Sequence, residues 1–280
     1  MIRISPPVGV ACKAFRIRFD NATRTAETPA SNQYEVPSTT VGLAWVGEWT
    51  APQEARTSVG FDVRDIRGET REDSAFVGNS FTRRRFAGGR QTTAGIFAVH
   101  SRTIASKFHA SFGLRADAWQ DSDGHRRDYL NGGLVSDMHF ATQNSVELSP
   151  SIGAVWPLAD RLRFHANAQQ AFRRPTLNEL YRPFRVGNVI TEANPNLQTE
   201  TVTSGEIGAT FTQGNFDISA TVFHNDLHDA VANVTIAHGP GTFPIVGFIP
   251  AGGEGRQRLN LDRARVQGIA LSSEWKMKRV

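Results

Sequence analysis

The residues best suited to chemistry are four arginines within thirteen positions, Arg173, Arg174, Arg182 and Arg185. Guanidinium groups bind carboxylates and phosphates through paired hydrogen bonds, and they also stack on aromatic rings. Glu179 and Tyr181 lie among them and add a hydrogen-bond acceptor and an aromatic ring. The segment is therefore a candidate binding site for an anionic small molecule.

Other groupings of reactive residues give weaker signals. One group resembles a metal cluster: His224, Asp226, His228 and Asp229. In a strand, residues four apart are about 13 Å apart, which is too far to share one zinc ion. A hydrolase site could draw on His109, Asp117 and His165, but a polar sheet face offers such residues by chance. The sequence also lacks the GxSxG, P-loop and HExxH motifs, so we predict no catalytic site, no metal site and no cofactor.

The elements that must position the arginines are strands. No stretch of 18 apolar residues could form a spanning helix, and 18 Phe with 5 Trp favour β structure. Before the arginine segment, mostly polar residues hold the odd positions, while apolar residues hold the even positions Leu162, Phe164, Ala166, Ala168 and Phe172. Successive side chains of a strand point to opposite faces. One face therefore suits lipid and the other suits water.

The same alternation predicts ten strands along the chain, near 13–20, 41–50, 57–64, 92–101, 107–118, 145–156, 161–172, 201–212, 216–227 and 260–275. Their connections are alternately short and long, with long polar loops predicted at 67–90, 120–144 and 228–258 and between the strands 161–172 and 201–212. This asymmetry is typical of outer-membrane barrels, which have short periplasmic turns and long extracellular loops. All five tryptophans suit the aromatic girdles at the membrane surfaces: Trp45, Trp49, Trp119, Trp156 and Trp275.

Residues 171–200 carry a specific resemblance. Four motifs occur in order, at Phe172–Thr176, Asn178–Tyr181, Asn194–Leu197 and Glu200. This pattern closely resembles the barrel of TonB-dependent outer-membrane receptors. The resemblance assigns a structural role to the motif residues Phe172, Pro175, Leu180, Asn194, Pro195, Leu197 and Glu200, in which Pro fixes the loop and Leu packs on the wall.

The resemblance implies a 22-stranded barrel closed by an N-terminal plug, which imports a scarce ligand such as a ferric siderophore or cobalamin with energy from TonB. We expect residues 1–12 to be a leader outside the family and 13–280 to be a partial barrel, without the plug and the C-terminal strands. The expected fold is an all-β, antiparallel transmembrane β-barrel fragment of about ten strands, an open curved sheet with edges near 13–20 and 260–275. The N-terminus is a poor secretory signal, so the chain is expected to come from a truncated or split gene and to fail to reach the membrane alone.

The implied location is the bacterial outer membrane, where the partners are membrane lipid, lipopolysaccharide and a small-molecule ligand such as an iron chelate. Contact with TonB would occur only through the plug. Nucleic acid is not an expected partner, because the arginines alternate along strands and lie in loops. Two alternatives stay open: the arginines could pair with lipopolysaccharide phosphates or lumen carboxylates, and the chain could be a passive porin-like or adhesin-like barrel. Porins do not share the pattern at 171–200.

Overall fold

The computed structural model describes residues 2–3, 11–15, 19–21, 31–51, 55–105 and 107–276 of the chain. Over these ranges the fold is nearly all-β, as predicted, with one short helix. The strands are β1 (Ile2–Arg3), β2 (Ala11–Phe15), β3 (Phe19–Asn21), β4 (Ser31–Glu35), β5 (Ser38–Ala51), β6 (Ala55–Val77), β7 (Ser80–Ile104), β8 (Phe108–Leu130), β9 (Gly133–His139), β10 (Gln143–Ala159), β11 (Leu162–Arg173), β12 (Phe184–Val186), β13 (Val189–Glu192), β14 (Glu200–Gln213), β15 (Phe216–His238), β16 (Gly241–Phe243), β17 (Gly247–Ile249) and β18 (Glu254–Trp275), and the helix is α1 (Leu177–Tyr181). Among the residues that the structure describes, no helix is long and apolar enough to cross a membrane.

The long strands form one antiparallel sheet in chain order, β5-β6-β7-β8-β10-β11-β14-β15-β18. The sheet is open and does not close into a barrel, which confirms the expected fold class. At one end, β1 and β2 pair with β5; of the predicted edge strand 13–20, residues 16–18 lie outside the described residues. At the other end, the first four residues of β18 pair in parallel with β13.

The two faces of the sheet differ in chemistry because cross-strand partners point the same way. One face, here called the apolar face, carries exposed Phe61, Ile96 and Phe112. The other, here called the polar face, carries Arg115, whose Nη1 lies 2.7 Å from Asp62 Oδ1 and whose Nη2 lies 2.5 Å from Asp117 Oδ1. The alternation predicted from the sequence is thus the alternation of the sheet.

The tryptophans do not all lie on the apolar face. Trp45 stacks on Phe61, and Trp156 packs near Phe164, both towards the short-turn end of the sheet. Trp119 was predicted in a girdle, and this prediction is wrong. It is buried, and its indole Nε1 donates to Glu147 Oε1 at 3.3 Å. The reason is its odd position in β8, which places it on the same face as Asp117.

Three predicted long loops are instead mostly continued strands. In place of the 67–90 loop, β6 runs to Val77 and β7 begins at Ser80 after a two-residue turn. In place of the 120–144 loop, β8 continues to Leu130 and pairs with β9. In place of the 228–258 loop, β15 continues to His238, and the short hairpin β16–β17 precedes β18. A strand of 23 residues such as β6 spans about 75 Å, more than twice the roughly 30 Å hydrocarbon layer. In a membrane barrel both faces of such a strand would meet water beyond that layer, and the apolar alternation that marks a strand would disappear there.

Candidate functional site

The arginine segment lies on the polar face of the sheet. We call residues 174–199, between β11 and β14, the inner segment. Gln91 Nε2 of β7 donates to Pro175 O at 2.9 Å, and Gln143 Nε2 of β10 donates to Pro195 O at 2.6 Å. Arg173 is the last residue of β11. The sequence predicts a long extracellular loop here, and in the structure side chains of the wall donate hydrogen bonds to backbone carbonyls of this segment.

The segment begins with a capped helical turn. Thr176 Oγ1 accepts a hydrogen bond from the Glu179 amide at 3.3 Å, and Glu179 Oε2 accepts one from the Thr176 amide at 2.7 Å. This reciprocal capping box satisfies two amides that a helix start leaves without partners. Burial acts to raise the pKa of Glu179, but hydrogen bonds from Arg173 and Thr176 outweigh it and hold this pKa below its ordinary value. Glu179 is therefore a charged cap.

An apolar cluster anchors the segment. Leu180 and Leu197 are each 1% exposed, and they pack with buried Tyr181. The Tyr181 ring stacks on Phe140, with ring centroids 5.1 Å apart and planes 16° from parallel. Burial of two leucines and one aromatic ring stabilises the segment by roughly 1.5–3 kcal/mol for each aliphatic side chain.

Two glycines of the wall lie against the Tyr181 ring. A Cβ atom added at Gly124 would lie 2.5 Å from Tyr181 Cζ, and one at Gly89 would lie 2.9 Å from Tyr181 Cε2. Only residues without a side chain allow the ring to lie this close to the wall. Burial, together with the nearby Asp121 carboxylate, raises the pKa of the Tyr181 phenol to about 12.

Replacing Gly124 with alanine is expected to loosen the inner segment. The added methyl group overlaps the Tyr181 ring, which Phe140 prevents from moving aside. Such overpacking typically costs about 1–3 kcal/mol. The measurement is the rate at which a protease cleaves the segment in outer membranes, with Gly205→Ala as control, because a Cβ there meets only an ordinary 4.0 Å contact. Equal cleavage rates in the two variants would contradict the packing described.

Arg174 makes the most buried ion pair of the segment. Its guanidinium bonds Asp121 of β8, and the two side chains are only 10% and 3% exposed. Nη1 also donates to Thr93 Oγ1 at 2.5 Å, and the guanidinium carbon lies 4.7 Å from the Trp119 ring centre. Arg174 therefore ties the start of the segment to β7 and β8.

Two further arginines of the candidate set are also paired with carboxylates. Arg173 bonds Glu200 and, at 2.9 Å, Glu179. Arg182 Nη2 lies 2.8 Å from Glu72 Oε2 of β6. Glu200 itself accepts a hydrogen bond from the Val231 amide. These pairs connect the segment to neighbouring strands. They fill both hydrogen-bonding edges of the Arg173 guanidinium and the Nε–Nη2 edge of the Arg182 guanidinium.

Sequence reasoning missed Arg258. This β18 residue is buried, and its Nη1 donates to Asn178 O at 2.8 Å and to Arg182 O at 3.0 Å, while its guanidinium lies over the Phe184 ring. Its backbone carbonyl accepts from Asn194 Nδ2 at 3.0 Å. Arg258 therefore holds the carbonyl groups at the end of α1. Its partners lie 64 to 80 positions away, so no local motif could have identified it.

Arg185 differs from the other three arginines. Its Nε donates to Gly187 O at 2.9 Å, and its side chain is exposed. Within the described part of the chain, no carboxylate lies within ion-pair distance of it, and burial of part of the side chain lowers its pKa. Of the six predicted ligand contacts, Arg185 alone combines exposure with unpaired Nη donors among the described residues.

Comparison with known proteins identifies the fold. A family model described as "TonB dependent receptor-like, beta-barrel" matches residues 13–279. The chain is 26% identical over 240 residues to the heme/hemopexin utilization protein C of Haemophilus influenzae (strain ATCC 51907 / DSM 11121 / KW20 / Rd), covering 78% of the chain and 30% of that protein. It is 29% identical over 147 residues to the vitamin B12 transporter BtuB of Photobacterium profundum, covering 50% of the chain and 21% of that protein.

Solved structures share the architecture. A double mutant of the Serratia marcescens hemophore receptor HasR, in complex with its hemophore HasA and heme, matches with a TM-score of 0.62 at 15% identity, covering 89% of the chain and 41% of the receptor. At that identity the likeness concerns the fold alone. The chain spans less than a third of the two curated relatives. The family model covers nearly the whole chain, and the chain belongs to the TonB-dependent receptor family, as part of its β-barrel.

Proposed function

We propose that the chain forms part of the wall of an outer-membrane receptor that takes up a scarce metal chelate with energy from TonB. The observation that carries the proposal is the family match over residues 13–279. The apolar face would contact membrane lipid, and the polar face would line the lumen. TonB would act on the plug and would not contact this chain directly. The partners of this chain outside the receptor would be lipid, lipopolysaccharide and ligand.

Heme is the ligand we favour. The support is the relative that covers 78% of the chain, which is named for heme and hemopexin utilization. Cobalamin is the second candidate, because a named vitamin B12 transporter matches half of the chain. A ferric siderophore is the third candidate, and the same barrel wall would surround it during uptake.

The six predicted contacts would divide into two groups. Arg173, Arg174, Arg182, Glu179 and Tyr181 would hold the inner segment against the wall, since each is committed to partners inside the protein. Arg185 would be the ligand contact. The porin-like alternative has no specific observation in its favour.

Deleting the coding region for residues 31–276 in the native host is expected to abolish growth on hemin as the sole iron source. Cyanocobalamin dependence and growth on a ferric siderophore are measured in parallel, and a tonB deletion is the control that defines energy-dependent uptake. The proposal predicts that the deletion reproduces the tonB defect for at least one of the three ligands. Wild-type uptake of all three would contradict it.

A further inference from the structure

The histidines and aspartate that resembled a metal cluster in the sequence lie on the apolar face of the sheet. Hydrogen-bonding register joins Phe112 of that face to His224 through direct cross-strand partners, namely Ile152, Ala168 and Gly205. Partners in such a row point the same way, and so does every second residue along a strand. Asp226 and His228 therefore share this face with His224.

At the short-turn end, the same face of β14, β15 and β18 is apolar. Its last apolar row consists of the cross-strand partners Ile207, Val222 and Ile269, which are 61%, 53% and 70% exposed. From Phe216 to Val222, β15 covers about 23 Å, close to the roughly 25 Å apolar band of an outer-membrane barrel. In a membrane, the next rows along these strands would therefore lie at the level of the lipid head groups.

Three polar rows follow the last apolar row. In order along the strands, they are Gly205–His224–Gln267, Thr203–Asp226–Arg265 and Thr201–His228–Arg263. We call these nine residues the basic grid. The grid contains two arginines and two histidines but one carboxylate, so its charge is positive even when both histidines are neutral.

The carboxylate of the basic grid is bound by only one of the two arginines. Arg263 Nε donates to Asp226 Oδ1 at 2.5 Å, and its Nη2 bonds Oδ2 of the same group. Arg265 is the direct cross-strand partner of Asp226 and is exposed, yet it has no ion pair within the described part of the chain. The guanidinium of Arg265 is therefore free to bind an anion from outside the chain.

The position of the basic grid indicates which anion this is. A guanidinium beside hydrocarbon is costly unless an anion lies next to it. A phosphate meets this need, because its oxygens accept paired hydrogen bonds from the planar guanidinium fork. Arg263 and Arg265 lie two positions apart on one face, roughly 7 Å along the strand, and the hydroxyls of Thr201 and Thr203 add neutral donors in the same rows.

We propose that the basic grid binds a phosphate on the sugar head group of lipopolysaccharide in the outer leaflet. Arg265 would hold the phosphate through paired hydrogen bonds, while Arg263 would stay with Asp226 and direct its remaining Nη group to the same head group. This inference rests on the proposed function for the membrane position of the chain, and it assigns the residues that contact the lipid partner.

The test is binding of lipopolysaccharide to the full-length receptor, extracted from outer membranes of the native host and purified in a neutral detergent. Arg265→Gln is expected to raise the Kd, measured by native mass spectrometry, by roughly ten- to hundredfold, the loss typical of a charged hydrogen bond. Arg265→Lys is expected to retain part of the affinity, because it keeps the charge without the fork. The matched control is Arg56→Gln, which removes an exposed arginine on the polar face and is expected to bind as the parent does. Protease resistance establishes that each variant is folded.

Chemically dephosphorylated lipopolysaccharide separates the phosphate from the acyl chains. The parent and Arg265→Gln are expected to bind it with equal, weakened affinity. Millimolar inorganic phosphate is expected to leave lipopolysaccharide bound to the parent. Parental affinity in Arg265→Gln would overturn the assignment, as would a parent that binds the two lipids equally. Displacement by inorganic phosphate would overturn the choice of a lipid head group.

Uptake assays separate this inference from the proposed function. If the receptor takes up one of the three candidate ligands while Arg265→Gln leaves the affinity for lipopolysaccharide unchanged, the proposal for the basic grid fails alone. If lipopolysaccharide binding needs Arg265 but none of the three ligands is taken up, the proposed function fails alone.

Discussion

Replacing Arg174 with leucine is expected to speed hydrogen exchange at the amides of α1 by at least about a hundredfold. Arg174 is the counter-charge of Asp121, whose side chain is 3% exposed. Removing one partner of a buried pair leaves an uncompensated charge and typically costs about 3–5 kcal/mol. The amides to follow are that of Leu180 in α1, bonded to Thr176 O, and those of Arg182 and Asn194, which are bonded to the α1 carbonyls Asn178 O and Glu179 O.

The control for this prediction is the double variant Arg174→Leu with Asp121→Leu. Replacing both members of a buried pair with apolar residues is often neutral or stabilising, so exchange is expected to return towards the parental rate. An Arg174→Leu protein with parental exchange would mean that Arg174 does not hold the segment. Arg174 would then return to the set of ligand contacts.

Replacing Leu180 with alanine is expected to lower the free energy of opening of the inner segment by about 2–5 kcal/mol. Leu180 is 1% exposed and packs with Tyr181 and Leu197, so the cavity left by the smaller side chain cannot be filled by water at low cost. The measurement is hydrogen exchange at the same α1 amides in membranes.

Val77→Ala is the matched control, because Val77 is 65% exposed at the β6–β7 turn. It is expected to change the free energy of opening at α1 by less than about 0.5 kcal/mol. Equal effects of the two substitutions would show that the inner segment is not packed on the wall.

Much of the wall could be predicted from alternation alone. From Leu162 to Phe172 the two faces meet different solvents, and the sequence must alternate to satisfy both. The position of Trp119 on the polar face could also have been predicted, because it lies two residues after Asp117 in the same strand. The aromatic side chain suggested a girdle, but the alternation of the strand predicts the correct face.

The continuation of β6 and β7 could not be predicted from the sequence, because the residues there do not alternate between apolar and polar. Around Arg71, Asp73 and Arg84, ion pairs such as Arg84 with Asp73 replace apolar alternation. Backbone pairing alone then marks the strand. In the sequence, this part of the two strands is a run of polar residues without a strand pattern.

The inner segment was recognised as important, but its position was not predictable from its own residues. Its contacts come from Gln91, Asp121 and Arg258, which lie 53 to 84 positions away from their partners in the chain. Nothing in the sequence around each of these residues indicates a contact with the segment, since only the fold brings them together. The arginines could therefore be assigned a chemistry from sequence, while the choice between ligand and internal carboxylate required the structure.

The most direct test of the account is a cross-link between the inner segment and the wall. In a Cys12→Ser background, which removes the one cysteine of this sequence, Glu72→Cys and Arg182→Cys replace two side chains whose ends lie 2.8 Å apart. A short bis-maleimide applied to cells of the native host is expected to join them in most molecules, whereas the control pair Arg83→Cys with Arg182→Cys is expected to stay unlinked. Linkage at the control level for the Glu72 and Arg182 pair would mean that the segment stands free above the barrel rim, and it would contradict the account.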